Sequence, residues 1–341
     1  ELAGICDLSS DNLQRAGSAT PAPRYREYPA MLDAERPDAV FIATPHWFHV
    51  DMAIEALRRG IHVLVEKPVG VYGLDVRRAI AAHEQARRTK PDLVFAAMFN
   101  MRTEDHWRKI KTAVDGLGRL VRVTWIVTDW FRTRHYYASG SWRGTWKGEG
   151  GGVLLNQCPH NLDMLQWLVG MPDRITGFAS LGKYHRIEVE DEVSAFFEYR
   201  SGAIGHFVAT TAESPGTNRL EIAAENGRIV FEDGRIVLDR NAESMLENIE
   251  TATTPMDKVP HERIEVPFER EADNPHRALI ENFAAAALDG TALVAPAAEG
   301  LNSILLANAI LHSSLNGNRP VDMPMDEAAF ASELKRLIGA S

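Results

Sequence analysis

Several residues are of a type and spacing that could do chemistry. Lys67 stands between Glu66 and Pro68. Proline fixes φ and offers no N–H, so a strand running into this tripeptide stops there. A lysine at such an edge can meet a substrate hydroxyl, and burial or neighbouring cations lower its pKa. The plain alternative is a solvated lysine paired with Glu66, and the tripeptide alone favours that. Asn156, His160 and Asp163 follow one another at i, i+4 and i+7, one face of a helix. Imidazole is the commonest acid or base near neutral pH. Asp163 could orient it or bind a hydroxyl, and Asn156 could exchange a hydrogen bond but not a proton. Pro159 requires the helix proper to begin near it. The structural alternative is a capped helix end with a core histidine. One His and one Asp are too few for a metal.

Asp7 ends an apolar run, Leu2–Cys6. A carboxylate at the end of the second strand of a dinucleotide fold bonds ribose hydroxyls and repels a 2′-phosphate, favouring NAD over NADP. For an isolated Asp, a helix N-cap is the commoner role. A loop from Asp129 to Trp146 carries Trp130, Phe131, Tyr136, Tyr137, Trp142 and Trp146 among Arg132, Arg134 and Arg143. Aromatic faces and guanidinium donors suit a sugar ring, although core packing with snorkelling arginines explains most of them better. His46 and His49 have no third ligand nearby in sequence, so a metal pair is rejected.

The elements that position these residues are readable from pattern. Ser9, Ser10 or Asp11 can cap a helix ending at Gly17. Apolar runs at Ala39–Ala43, His62–Val65 and Leu93–Phe99 alternate with helical patterns near His49–Arg59 and Leu74–Arg88, which implies βαβ units and a parallel sheet. Ligands of such sheets sit beyond the carboxyl ends of the strands, so Asp7, Thr44-Pro45 with His46 and His49, Glu66-Lys67-Pro68 and Asn100 should converge. Near Asn100 the pattern changes. Leu120–Val127 precedes the aromatic loop, and Gly148–Gly152 leads to a helix over about Asn156–Leu168. From Arg174 to Leu238, strands are punctuated by Ser201-Gly202, Asn226-Gly227 and Asp233-Gly234, the signature of an antiparallel sheet. Helices return near Pro275–Leu288 and Pro296–Leu315, and the polar stretch 241–274 reads as a loop or excursion. The expected division is a dinucleotide-binding unit over 1–99 and a substrate-binding and association unit over 100–341.

The chain has 341 residues, 45% hydrophobic and 25% charged, in the range of globular proteins of about two domains. This composition excludes a disordered chain, a collagen-like repeat and a coiled coil. The longest apolar run is far short of the roughly 20 residues a spanning helix needs. The net charge of −10 argues against nucleic acid and anionic membrane as partners. Cys6 and Cys158 form neither a disulfide framework nor a zinc pattern, and a reducing, cytoplasmic setting fits. A G-x-G-x-x-G turn is missing: Gly148-Glu149-Gly150 meets Val153 at the last position and Gly116-Leu117-Gly118 meets Val121. With Glu1 rather than Met at the start, the expectation is either a chain lacking an opening strand, glycine turn and helix of about 30 residues or one in which that unit is degenerate.

Ile42-Ala43-Thr44-Pro45 with His49, then Glu66-Lys67-Pro68, then Gly150-Gly151-Gly152 through His160 and Asp163, and finally Leu301–Leu315 followed by Asn318-Arg319-Pro320, resemble in order and spacing the Gfo/Idh/MocA oxidoreductases. The resemblance covers essentially the whole chain. It implies a Rossmann domain carrying NAD (NADP second), followed by an α+β domain whose large open sheet often mediates dimers or tetramers. It also implies roles. Asp7 would hold the adenosine ribose, Thr44, Pro45 and His49 the nicotinamide side, and Glu66 and Asn100 the nicotinamide ribose region. Lys67 would contact cofactor and reacting hydroxyl, with His160 as general acid/base. Trp142 and Arg143 would face substrate, with Asn156 and Asp163 beside it. Asn156 stands where many relatives carry Asp, and Cys158 where a glycine is usual, which marks a subgroup. The function expected is hydride transfer between NAD and a secondary hydroxyl of a sugar, glycoside or cyclitol. The alternatives are an NAD-cycling glycoside-cleaving enzyme of the same fold and a non-catalytic sugar or nucleotide sensor.

Overall fold

A computed structural model describes residues 1–269 and 274–340. In chain order the strands are β1 (Ile5–Cys6), β2 (Arg24–Tyr25), β3 (Ala39–Ile42), β4 (His62–Val65), β5 (Phe95–Ala97), β6 (Leu120–Val127), β7 (Arg174–Leu181), β8 (Glu190–Glu198), β9 (Ile204–Thr210), β10 (Asn218–Ala224), β11 (Gly227–Glu232), β12 (Arg235–Asn241), β13 (His261–Val266) and β14 (Val321–Asp322). The first five pair in parallel, as the alternating pattern requires, but in two pieces: β1 with β2, and β3–β4–β5 in that order. β4 is central and buried at every residue, as expected of a parallel strand covered on both faces. β3 alternates. Val40 and Ile42 point into the core, while Phe41 stays half exposed on the side that faces β1–β2 across a cleft.

The second sheet has nine strands in the order β13-β12-β11-β10-β6-β9-β8-β7-β14. Every pair in it is antiparallel except β6 with β9. The polar stretch read as a loop supplies its edge: β13 pairs with β12 through Ile236–Asn241. Alternation there is weak because an edge strand exposes most of its side chains, and β13 buries none fully.

Helix Gly300–Leu315 joins the two units. It is apolar nearly all round (Leu301, Ile304, Leu305, Leu306, Ile310 and Leu311 are buried), the property of a helix enclosed on all sides. Its polar residues are used for anchoring. Ser313 Oγ accepts from Gly177 N at 2.9 Å in β7. Asn308 accepts from Gly73 N at 3.1 Å and donates to Val71 O at 3.2 Å in the first unit. The stretch just before it also returns to the first unit, where Ala97 N of β5 donates to Ala295 O at 3.0 Å. Among the described residues, no helix is long and apolar enough to cross a membrane.

Candidate active site

A cleft of about 1980 Å³ runs from the ends of β1 and β3 to the aromatic–arginine loop. Asp7, Thr44, Pro45, Glu66, Lys67, Trp142, Arg143 and Asn156 all line it, so residues spread over 150 positions do converge. Asp7 lies at the end of β1, where one carboxylate oxygen accepts from Ser9 N at 2.7 Å and the other from Asn12 Nδ2 at 2.8 Å. These bonds fix the carboxylate at the start of helix Ser10–Ala19, facing the cleft.

Pro68 ends β4 and turns Lys67 inward. Its Nζ donates to the Asn156 carbonyl at 2.8 Å, and burial lowers its pKa against the opposing pull of Glu66. Glu66 Oε2 accepts from the Lys67 backbone at 3.1 Å, and burial raises its carboxyl. Asn156 ends the short helix Val153–Asn156, which Glu190 caps by accepting from Gly152 N at 2.8 Å and Leu154 N at 3.0 Å. The glycines upstream make that approach possible. Gly150 has φ +77°, and a Cβ there would stand 2.0 Å from Val71.

The chain breaks at Gln157-Cys158, and helix Pro159–Val169 starts with proline in its first turn. The single face expected for Asn156, His160 and Asp163 is therefore divided between two helices. His160 sits beside the cleft rather than in its lining. Its ring meets Phe99 edge-on at 6.2 Å, and its Nδ1 is buried without a hydrogen bond. Burial and the nearby Lys67 charge push its pKa down to about 3, so the ring is neutral.

Three expectations are corrected, for Asp163, His49 and Asn100. Asp163 does not face the cleft. It is wholly buried and holds Arg102 with both oxygens, Nε at 2.8 Å and Nη2 at 2.6 Å, and Glu299 closes the pair from outside. His49 does not line the cleft either. Its two ring nitrogens face the carbonyls of Pro68 and Thr44, each at 2.7 Å, so it braces the ends of β3 and β4 from behind. The helix begins at His46 with Pro45 as its cap, and that phase puts His46 in the cleft instead. The His46 ring packs edge-on to Trp142 at 6.2 Å, and burial pushes its pKa down to about 3. Asn100 is buried in the turn after β5, outside the cleft lining, with Oδ1 unpartnered.

Sequence reasoning passed over Glu149, a buried carboxylate beneath the site. It accepts from Gly144 N at 2.6 Å and from Asn156 Nδ2, and burial pushes it up to about 7. Tyr136 links the remaining groups. Its hydroxyl accepts from Arg143 at 2.7 Å and Gln157 at 3.3 Å and donates to Asn156 Oδ1 at 3.4 Å. No spacing marks Glu149, because its role depends on a turn at Gly144 that packs across it.

The arrangement is an acceptor carboxylate at one end of a long cleft and a lysine beside a neutral histidine at the other. The unpartnered Asn100 oxygen lies in the turn after β5. Of these, the Asp7 carboxylate and the Lys67 ammonium line the cleft and fit a dinucleotide laid along the strand ends. Comparisons agree. A family model described as "Oxidoreductase family, NAD-binding Rossmann fold" matches residues 1–97, and the "GFO/IDH/MocA C-terminal domain" model matches 107–230. The chain is 26% identical over 171 residues to the rhizopine catabolism protein MocA of Rhizobium meliloti, covering 50% of each. It is 27% identical over 254 residues to the levoglucosan dehydrogenase of Pseudarthrobacter phenanthrenivorans, covering 66% of this chain and 62% of that one. The matched stretches thus span roughly half to three-fifths of these relatives. Among solved structures, the WlbA dehydrogenase from Bordetella pertussis, in complex with NADH and UDP-GlcNAcA, superposes with TM-score 0.78 at 27% identity, over 96% of this chain and 91% of that one.

Proposed function

Because the chain belongs to the Gfo/Idh/MocA family of oxidoreductases, we propose that it transfers hydride between a nicotinamide dinucleotide and a secondary hydroxyl of a sugar, glycoside or cyclitol. The observation that carries this reading is the Lys67 ammonium, fixed in the cleft by the Asn156 carbonyl with neutral His160 nearby. The bound dinucleotide supplies the hydride acceptor or donor. Lys67 orients the substrate hydroxyl and stabilises the oxygen as its proton leaves. His160, neutral at working pH, takes that proton. Asp7 holds ribose hydroxyls and disfavours a 2′-phosphate, so NAD is preferred over NADP. Thr44 and Pro45 border the nicotinamide end, and Glu66 serves its ribose region, with Asn100 buried in the turn after β5, outside the lining. Residues 1–99 carry the cofactor and 100–341 the substrate.

The open face of the nine-stranded sheet exposes Phe178 and Ile204, with Phe196 between their strands. We assign it as the surface on which copies associate as dimers or tetramers. The setting proposed is cytoplasmic. Neither nucleic acid nor membrane is proposed as a partner of an acidic chain.

The test is a screen of neutral and acidic sugars with NAD and NADP, repeated with Lys67→Ala and His160→Ala. Each variant should lose about 10²–10⁴-fold in kcat/KM while its circular dichroism is unchanged. Wild-type rates in a folded Lys67→Ala protein would refute the assignment.

A further inference from the structure

The aromatic–arginine loop carries charge that the fold does not use. Arg143 lines the cleft beside Lys67. Its guanidinium carbon lies 4.4 Å from the ring centre of Tyr136 and 4.4 Å from that of Trp142, and one nitrogen donates to the Tyr136 hydroxyl at 2.7 Å. Arg132 reaches the same Tyr136 ring at 5.0 Å and the Trp130 ring at 5.4 Å, and its Nε is buried without a partner. Its backbone is pinned at both ends of the peptide unit. Its N–H donates to Thr211 O at 2.8 Å. Its carbonyl faces His185 Nε2 at 3.0 Å, and the other nitrogen of that ring meets Asp191 at 3.0 Å.

Among the described residues, neither arginine nor Lys67 has a carboxylate within ion-pair distance. The nearest buried acid, Glu149, has its oxygens engaged by Gly144 and Asn156. The chain is not short of carboxylates: it has 47 acidic residues against 37 basic, and Arg59, Arg78, Arg102, Arg122, Arg219 and Arg228 all find one. Arg143, held rigid by two rings and left without an acid partner in the cleft lining, is prepared for an anion from outside, and Arg132 stands behind the shared Tyr136 ring, outside that lining. Their planar fork matches a carboxylate or a phosphate.

We propose that Arg143, seconded by Arg132, forms an anion subsite in the cleft, and that the physiological substrate is an acidic sugar whose carboxylate or phosphoryl group docks there. This deepens the dehydrogenase reading and rests on it for the sugar part. Guanidinium pairing positions the ring, and Lys67 then meets a hydroxyl whose place is fixed from the charged end.

The test is calorimetric titration of the full chain with a neutral sugar and its two acidic counterparts: D-glucose, D-glucuronate and D-glucose 6-phosphate, and the galactose, galacturonate and galactose 6-phosphate set. Each set is measured at low and high salt. Expected is at least a tenfold tighter affinity for an acidic member in one or both sets, weakened by salt, lost in Arg143→Ala and partly kept in Arg143→Lys. Arg132→Gln should cause a smaller loss. Preference for the uronate identifies a carboxylate site, and preference for the phosphate identifies a phosphoester site. Neutral members binding as tightly as both acids, binding of none, or Arg143→Ala and Arg143→Lys weakening neutral and acidic sugars equally would overturn the proposal. Failure of the parent reading looks different. Acid-selective binding without hydride transfer to either dinucleotide keeps the subsite and removes the dehydrogenase, whereas turnover of neutral sugars alone does the reverse.

Discussion

Arg102 and Arg143 are the same side chain in opposite situations. Arg102 has left water entirely and is gripped by both oxygens of Asp163, itself as deeply buried, with Glu299 beyond. Arg143 remains partly open to the cleft, rests on two rings and has no acid partner among the described residues. Removing a charge from water costs several kcal/mol unless a counter-ion replaces the solvent, so the first arginine can be buried only with its acid already in place. The second is stabilised by ring faces and residual solvent, and it keeps its strongest valence free. The presence or absence of an internal partner distinguishes a cation that ties helices together from one that waits for a ligand.

The sharpest way to break this contrast is to remove the partner. Asp163→Ala strands Arg102 and should cost about 3–5 kcal/mol of stability, measured by urea unfolding. Arg143→Met should change the same unfolding free energy by less than about 0.5 kcal/mol. Equal losses would erase the distinction. The second contrast is between buried acids, because Glu149 has no cationic partner comparable to that of Asp163. Its folded pKa is raised to about 7, above its unfolded value, so its contribution is fully present below the unfolded pKa and fades as pH rises through the folded one. Stability should fall between about pH 4.5 and 7 at up to about 1.4 kcal/mol per pH unit, and Glu149→Gln should flatten that slope. Parallel pH profiles for the two proteins would contradict the assignment. A smaller effect concerns the cofactor. Asp7→Ala should weaken NADH binding by about tenfold, or ~1.4 kcal/mol, and narrow the gap to NADPH in a fluorescence titration. An unchanged ratio would place the ribose elsewhere. Least of all, Tyr136→Phe removes one hydrogen bond from Arg143 at about 1 kcal/mol and should weaken the acidic sugar about fivefold while leaving the neutral one as it was.

Much of this was legible in the chain because strand ends announce themselves. Pro68 stops β4 beside Lys67, Thr44-Pro45 stops β3, and the position of an α/β cleft follows from those stops. Pro159 likewise announces the start of the His160 helix. What the sequence concealed was phase and depth. Whether His46 or His49 faces the cleft depends on where the helix begins, and the cap at Pro45 starts it three residues earlier than the apolar pattern suggests. Asp163 carries the same spacing signal whether it faces a ligand or an arginine sixty residues away, and only packing distinguishes the two. β13 was hidden because an edge strand has little apolar alternation to show.

The return of residues 295–315 to β5 and to the Val71–Gly73 turn has a consequence for the order of assembly. The amide of Ala97 and the carbonyl of Val71 find their partners only in Ala295 and Asn308, about two hundred residues further along the chain. During synthesis, the strand β5 and the Val71–Gly73 turn must therefore wait, with these groups and the apolar face around Phe99 unmatched, until about two hundred more residues have emerged. Contacts so distant in sequence form slowly, and an incomplete chain exposes the kind of surface that chaperones bind. In this molecule the parallel sheet whose strand ends border the cleft is closed at β5 by a segment that lies about two hundred residues further along the chain.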